Sequence, residues 1–191
     1  MVPNQNEYFE KLVSIRETLK EAGTEYWQLY SDFSTWQFWV VCFILFAPLV
    51  ILLFTIDRKN IFQIGFFGFA VHVLFAYIDS FGIQYGLWGY PYQVFPFLPS
   101  LSLDASIIPI SIMLVYQWTL KHDKNFFIYA IITAAIFGFG FKPFLVLIGL
   151  FEKYKWVNYL IIFFIYIVLF LLGYLLTRLF QRMQKKSLDT K

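Results

Sequence analysis

Residues 36–56 contain no charged side chain, and most of them are Phe, Leu, Val, Ile or Trp. A helix of about 20 apolar residues crosses the hydrocarbon core of a bilayer, which is about 30 Å thick. Further apolar runs follow at about 61–81, 106–120, 126–141 and 156–176. We therefore predict an all-α fold, an integral membrane bundle of about five transmembrane helices.

The composition agrees with lipid as the main solvent. The chain is 60% hydrophobic and only 14% charged, whereas a soluble domain is about half apolar and about a quarter charged. With one cysteine and two histidines in the whole chain, a disulfide within the chain and a cluster of thiol or imidazole metal ligands are excluded. We expect no metal and no cofactor.

Basic residues predict the orientation of the bundle. If the turns at 57–60 and 121–124 and the C-terminus share one side, that side holds nine of the 15 Lys and Arg residues. The other side includes an N-terminal arm that is net acidic. Because cytoplasmic loops are enriched in Lys and Arg, we predict a multi-pass protein of the cell membrane with the N-terminus outside and the C-terminus in the cytoplasm. The basic tail, 181–191, is better explained by anionic lipid than by nucleic acid.

The N-terminal segment, 1–34, is predicted to form an amphipathic surface helix. Its apolar residues recur at helical spacing, at Phe9, Leu12, Val13, Ile15 and Leu19. The alternative is a loosely ordered polar tail. The transmembrane domain is predicted over 35–180.

Residues 82–103 are predicted to form an aromatic, proline-rich cap on the bundle. Prolines interrupt a helical ladder, and irregular backbone cannot face hydrocarbon. The rings of Trp88, Tyr90 and Tyr92 could stack on a ligand, or they could belong to an aromatic belt at the headgroup level. Lys142 and Pro143 interrupt the fourth run, so counts of four or six spans remain open if 138–155 is misread.

Several stretches resemble a functionally uncharacterised family of small multi-spanning membrane proteins from spore-forming Gram-positive bacteria of the Bacillus and Clostridium type. They are 86–92 (GLWGYPY), 95–99 (FPFLP), 103–104 (LD), 109–117 (PISIMLVYQ) and 142–146 (KPFLV). In that family the residue before the later proline is usually acidic, where this chain has Lys142. The resemblance implies a membrane protein and no particular activity.

Two ionisable residues fall inside the second span. His72 lies near the predicted bilayer centre, and Asp79 follows about two turns later on nearly the same face. Ionisable groups in lipid are costly and usually face the bundle interior with a partner. This pattern is typical of a proton or ion relay, or of a neutral histidine hydrogen-bonded to a neighbouring helix.

Asp79, Asp104 and Lys142 all fall near the outer ends of their predicted spans. With His72 they form the candidate buried polar site. It could be a pocket open to the outside, or a structural ion pair that joins three helices, with Asp79 and Lys142 as the first pair to test.

These features favour a binding, sensing or assembly component that acts through its outer surface, and they favour a non-enzyme over an enzyme. The alternatives are a small proton- or ion-coupled transporter or channel using His72 and Asp79, and an intramembrane lipid- or isoprenoid-modifying enzyme. Expected partners are membrane lipids, with a membrane protein or a second copy of the chain as further candidates and no nucleic acid.

Overall fold

The computed structural model describes residues 4–189, and the predicted features at 1–3 and 190–191 lie outside the described residues. The predicted all-α class is confirmed. The helices are α1 (Gln5–Tyr30), α2 (Trp36–Thr55), α3 (Ile61–Gln84), α4 (Ile108–Lys121), α5 (Phe126–Ala135), α6 (Lys142–Leu147) and α7 (Tyr159–Asp189). Two short strands, β1 (Trp88–Gly89) and β2 (Glu152–Lys153), pair antiparallel.

Five helical segments of the described chain are long and apolar enough to cross a membrane. They are Trp36–Thr55, Ile61–Gln84, Leu103–Lys121, Phe126–Leu147 and Tyr159–Ser187. The chain is a multi-pass integral membrane protein, as the apolar runs predicted. α7 continues through most of the predicted basic tail, 181–191, and ends at Asp189.

The fourth span differs from the prediction because it passes through Lys142 and Pro143 and ends at Leu147. A π-helical turn, Ile136–Phe141, precedes the proline, and the backbone N–H of Lys142 donates to Phe137, five residues back. Pro143 follows at the start of α6, where a proline is tolerated. One span therefore covers 126–147, and the chain then leaves the helix for β2.

α3 is the central helix, packed against both α4 and α7, while α5 packs on α4 and α7. Aromatic rings fill the interior: Phe126 stacks on Tyr174 at 4.8 Å between ring centroids, and Phe67 lies 4.5 Å from Tyr116. α2 is peripheral, with 11% of its span buried within the chain. Its lipid-facing surface explains why α2 is also the most uniformly apolar of the early spans.

Hydrogen bonds place the turn at 57–60 at the same end of the bundle as the C-terminal end of α4. Gln117 accepts from the N–H of Asp57 at 2.6 Å and donates to the carbonyl of Thr55 at 2.9 Å. The connection at 121–124 follows directly after α4, so both short turns lie at this end.

The opposite end carries the cap. It covers residues 86–102 and is shorter than the predicted 82–103, because α3 continues to Gln84 and a π-helical turn begins at Leu103. The N–H of Tyr154 donates to the carbonyl of Leu87, which continues the β1–β2 pairing. α1 joins the cap through its C-terminal part: the indole of Trp27 donates to the carbonyl of Gln93, and the N–H of Gln93 donates to Ser31 Oγ, both at 2.9 Å. α1 has no buried residue, so it is a surface helix that is anchored at one end.

Candidate functional site

The carboxylate of Asp79 connects a membrane span to the cap. Asp79 lies on α3 with 1% of its surface exposed. Its Oδ1 accepts from Trp88 Nε1 at 2.9 Å and from the Tyr90 hydroxyl at 2.6 Å. Both donors come from the cap, so the buried charge is stabilised by residues that follow α3 in sequence and fold back into the bundle.

Tyr90 also reaches the fourth span. Lys142 Nζ donates to the Tyr90 hydroxyl at 3.2 Å and lies 3.7 Å from the ring centroid of Phe151. Lys142 is 3% exposed, and its ammonium gains from the ring faces that line it. Burial, together with the charge of Asp79, raises the pKa of Tyr90 well above its ordinary value. The phenol therefore stays protonated and can donate to Asp79 while accepting from Lys142.

The ion-pair alternative named Asp79 and Lys142 as the first pair to test, and in the described structure these two side chains are joined by this bridge. Asp79 Oδ2 has no hydrogen-bond partner within the described part of the chain, and both recorded bonds to Oδ1 come from the cap. The Tyr90 hydroxyl thus links the two side chains by hydrogen bonds, and the cap joins α3 to α6.

Asp104 lies in a π-helical turn, Leu103–Ile107, that begins the third span. Ser100 Oγ donates to Asp104 Oδ2 at 2.5 Å, while Oδ1 has no partner among the described residues. The N–H of Ile108 donates to Leu103, five residues back, and the next residue is Pro109, which has no N–H. The carbonyl of Asp104 is therefore left without the usual helical donor.

His72 supplies that missing donor. Its Nδ1 lies 2.7 Å from the carbonyl oxygen of Asp104. His72 is 12 residues before Gln84, so Asp104 lies about 18 Å below the end of α3 that adjoins the cap, at 1.5 Å per residue. The cap therefore descends into the bundle before the third span begins, which irregular backbone can do where protein surrounds it.

Two cavities of different size adjoin these groups. A cavity of about 20 Å³ is lined by Asp79, Lys142 and Tyr166, and this volume suits one water molecule. A cleft of about 330 Å³ lies between α3 and the descending part of the cap, with His72 and Asp104 in its lining. The cleft, unlike the small cavity, has room for an organic ligand.

The structure divides the predicted polar site into two connected parts. Asp79 and Lys142 meet through Tyr90, whereas His72 binds the backbone at Asp104. The indole of Trp88 and the phenol of Tyr90 are buried and directed at Asp79.

The remaining cap residue, Tyr92, is partly buried against the core and lines another cavity of about 20 Å³ with Tyr90 and Ser100. Three neighbours of the polar site were missed from the sequence: Ser100, Phe151 and Tyr166. Ser100 precedes Asp104 by four residues, a spacing that could have indicated a local hydrogen bond. Phe151 and Tyr166 lie in apolar runs and carry no such signal.

Comparison of the chain with protein-family models, curated proteins and solved structures finds no match. The resemblance to the spore-former membrane family stays a prediction.

Proposed function

We propose that this protein is a binding and sensing component of the cell membrane that receives its ligand on the outer surface formed by α1 and the cap. The observation that carries the proposal is the bridge from the cap to two spans: Tyr90 donates to Asp79 of α3 and accepts from Lys142 of α6. A ligand that displaces the cap would break hydrogen bonds to two buried charges. Leaving such groups without hydrogen-bond partners is costly. Ligand binding at the outer surface would therefore change the stability of the helix packing inside the membrane.

The proposed orientation places the N-terminus outside and the C-terminus in the cytoplasm. It is supported by the charge count, because the end of the bundle with the turns at 57–60 and 121–124 carries eight basic residues within the described part of the chain, out of 15 in the sequence. Small tags at the two termini, probed from outside intact cells, test this arrangement. Labelling of both termini from the same side would contradict it.

The binding proposal is tested by photo-crosslinking at two matched positions. Phe97 in the cap is 72% exposed, and Phe54 near the other end of α2 is 85% exposed. A photoreactive phenylalanine at position 97 should give one discrete cross-linked species in native membranes, and the same group at position 54 should give only bulk lipid. The Asp79→Asn change should weaken the cross-link at 97, because a neutral amide oxygen replaces the carboxylate that accepts two hydrogen bonds from the cap. The same products at both positions would contradict the proposal.

A second candidate function is a small proton- or ion-coupled transporter. The cleft that reaches His72 favours it, since a relay needs access from one side. In proteoliposomes this function predicts a pH-dependent flux that Asp79→Asn abolishes, and Asp104→Asn tests whether the second carboxylate takes part. Flux that is unchanged in both variants would remove this candidate.

A further inference from the structure

We propose that the cleft between α3 and the cap binds an amphiphile with a protonated amine at one end, such as an alkylammonium or an aminolipid headgroup. This inference rests on the proposed function, because the cleft lies beneath the same cap, and it names the class of ligand. The site is defined by α3 residues at four-residue spacing on one side, and by the cap and the start of the third span on the other.

The deep end of the cleft adjoins two side chains that can accept hydrogen bonds. Asp104 is 6% exposed, lines the cleft, and keeps Oδ1 without a partner in the described structure. His72 also lines the cleft. Its Nδ1 donates to the carbonyl oxygen of Asp104, so Nε2 is the ring nitrogen that can act as an acceptor in the corresponding tautomer. A ligand that reaches this end must therefore donate hydrogen bonds.

The charge balance favours a cation. Two acidic side chains, Asp79 and Asp104, and one basic side chain, Lys142, are buried in this region. The ammonium is engaged by Tyr90 and Phe151. Ser100 is the hydrogen-bond donor to the Asp104 carboxyl group within the described residues, and Oδ1 has none. A bound ammonium would supply both a further donor and the counter-charge that a carboxylate needs inside a membrane.

The walls of the cleft favour an apolar body on that cation. Ala76 and Ile83 line the α3 side, and Phe97, Leu98 and Leu101 line the cap side. Ser80 and Gln84 continue the α3 stripe toward the outer end, one helical turn apart and joined by a hydrogen bond of 3.1 Å. A primary amine with a short alkyl chain satisfies both the acceptors at depth and the apolar walls.

Titration calorimetry of the purified full-length chain in a non-ionic detergent tests the site with three probes: n-octylammonium, n-octanol and octanoate. The ammonium should bind at least tenfold more tightly than the alcohol, and octanoate should not bind. The Asp104→Asn variant keeps an acceptor for Ser100 and should lower the ammonium affinity at least tenfold while leaving octanol binding unchanged. The Asp123→Asn variant removes an exposed carboxylate at the other end of the bundle and should bind like the unmodified protein.

A second variant keeps the test decisive if Asp104→Asn alters folding. Ala76→Leu fills the cleft without touching a polar group and should abolish binding of both octylammonium and octanol. Octanoate binding as tight as that of the ammonium, or unchanged ammonium affinity in Asp104→Asn, would overturn the proposal. If the cross-link at Phe97 persists while no amine binds, this inference fails and the proposed function stands.

Native mass spectrometry from nanodiscs distinguishes the two sources of the amine. Retention of phosphatidylethanolamine over phosphatidylcholine would identify a lipid headgroup, because the quaternary choline has no N–H to donate. Octylammonium binding without lipid retention would identify a free amine. Either result supports the site. Loss of amine or lipid binding in the Asp104→Asn variant would confirm that the site lies at Asp104.

Discussion

The Tyr90→Phe substitution tests the bridge between the cap and the bundle. It removes one oxygen and with it two hydrogen bonds, the donation to Asp79 at 2.6 Å and the acceptance from Lys142 at 3.2 Å. A hydrogen bond to a charged group contributes about 1.5–3 kcal/mol. Asp79 keeps its bond from Trp88, and Lys142 keeps the ring of Phe151. With this partial compensation, we expect the free energy of unfolding to fall by about 2–4 kcal/mol.

Equilibrium unfolding by SDS in mixed micelles, followed by tryptophan fluorescence, measures this change. The matched control is Tyr92→Phe, two residues away, whose hydroxyl has no hydrogen bond in the described structure and whose loss should cost less than about 0.5 kcal/mol. A double-mutant cycle with Lys142→Met should give a coupling energy of at least about 1 kcal/mol. If Tyr90→Phe and Tyr92→Phe unfold at the same SDS fraction, the bridge does not stabilise the fold as argued.

Two further predictions address packing and a surface turn. Gly138→Ala would place a Cβ 2.9 Å from Phe163 Cβ and 3.0 Å from its Cα, so it should destabilise the protein by about 1–3 kcal/mol. Gly140→Ala in the same π-helical turn meets nothing within 4 Å and should not show this cost; equal effects in unfolding experiments would refute the assignment. The side-chain hydrogen bond from Asn60 is the main cause that lowers the pKa of Asp57. Asn60→Ala should raise that pKa toward its ordinary value, as carboxyl NMR titration can measure. Because the folded pKa is lowered, the contribution of Asp57 to stability is complete above its ordinary pKa and is lost as pH falls through the lowered value; an unchanged titration would contradict this assignment.

The candidate site shows where local reasoning was sufficient and where it was not. Asp79, Asp104 and Lys142 were identifiable because ionisable residues are rare in apolar runs and must face the interior. The role of Tyr90 as the bridge was not identifiable, because the cap has many aromatic rings and only its path into the bundle selects this one. His72 was paired with Asp79 by helical spacing, yet it binds the backbone at Asp104. The reason is that the π-helical turn and Pro109 together leave the carbonyl of Asp104 without a helical hydrogen-bond donor.

The number of spans, their approximate limits and the all-α class followed from the sequence alone, because in hydrocarbon each apolar run must satisfy its own backbone as a helix. That constraint acts within about 20 consecutive residues and needs no knowledge of neighbours. Only the tertiary structure decided how deep the cap descends, which of its side chains meet the buried charges, and that a 330 Å³ cleft remains beside Asp104. Those features depend on contacts between residues far apart in the chain, such as Tyr90 with Lys142, and hydropathy carries no information about which distant residues meet.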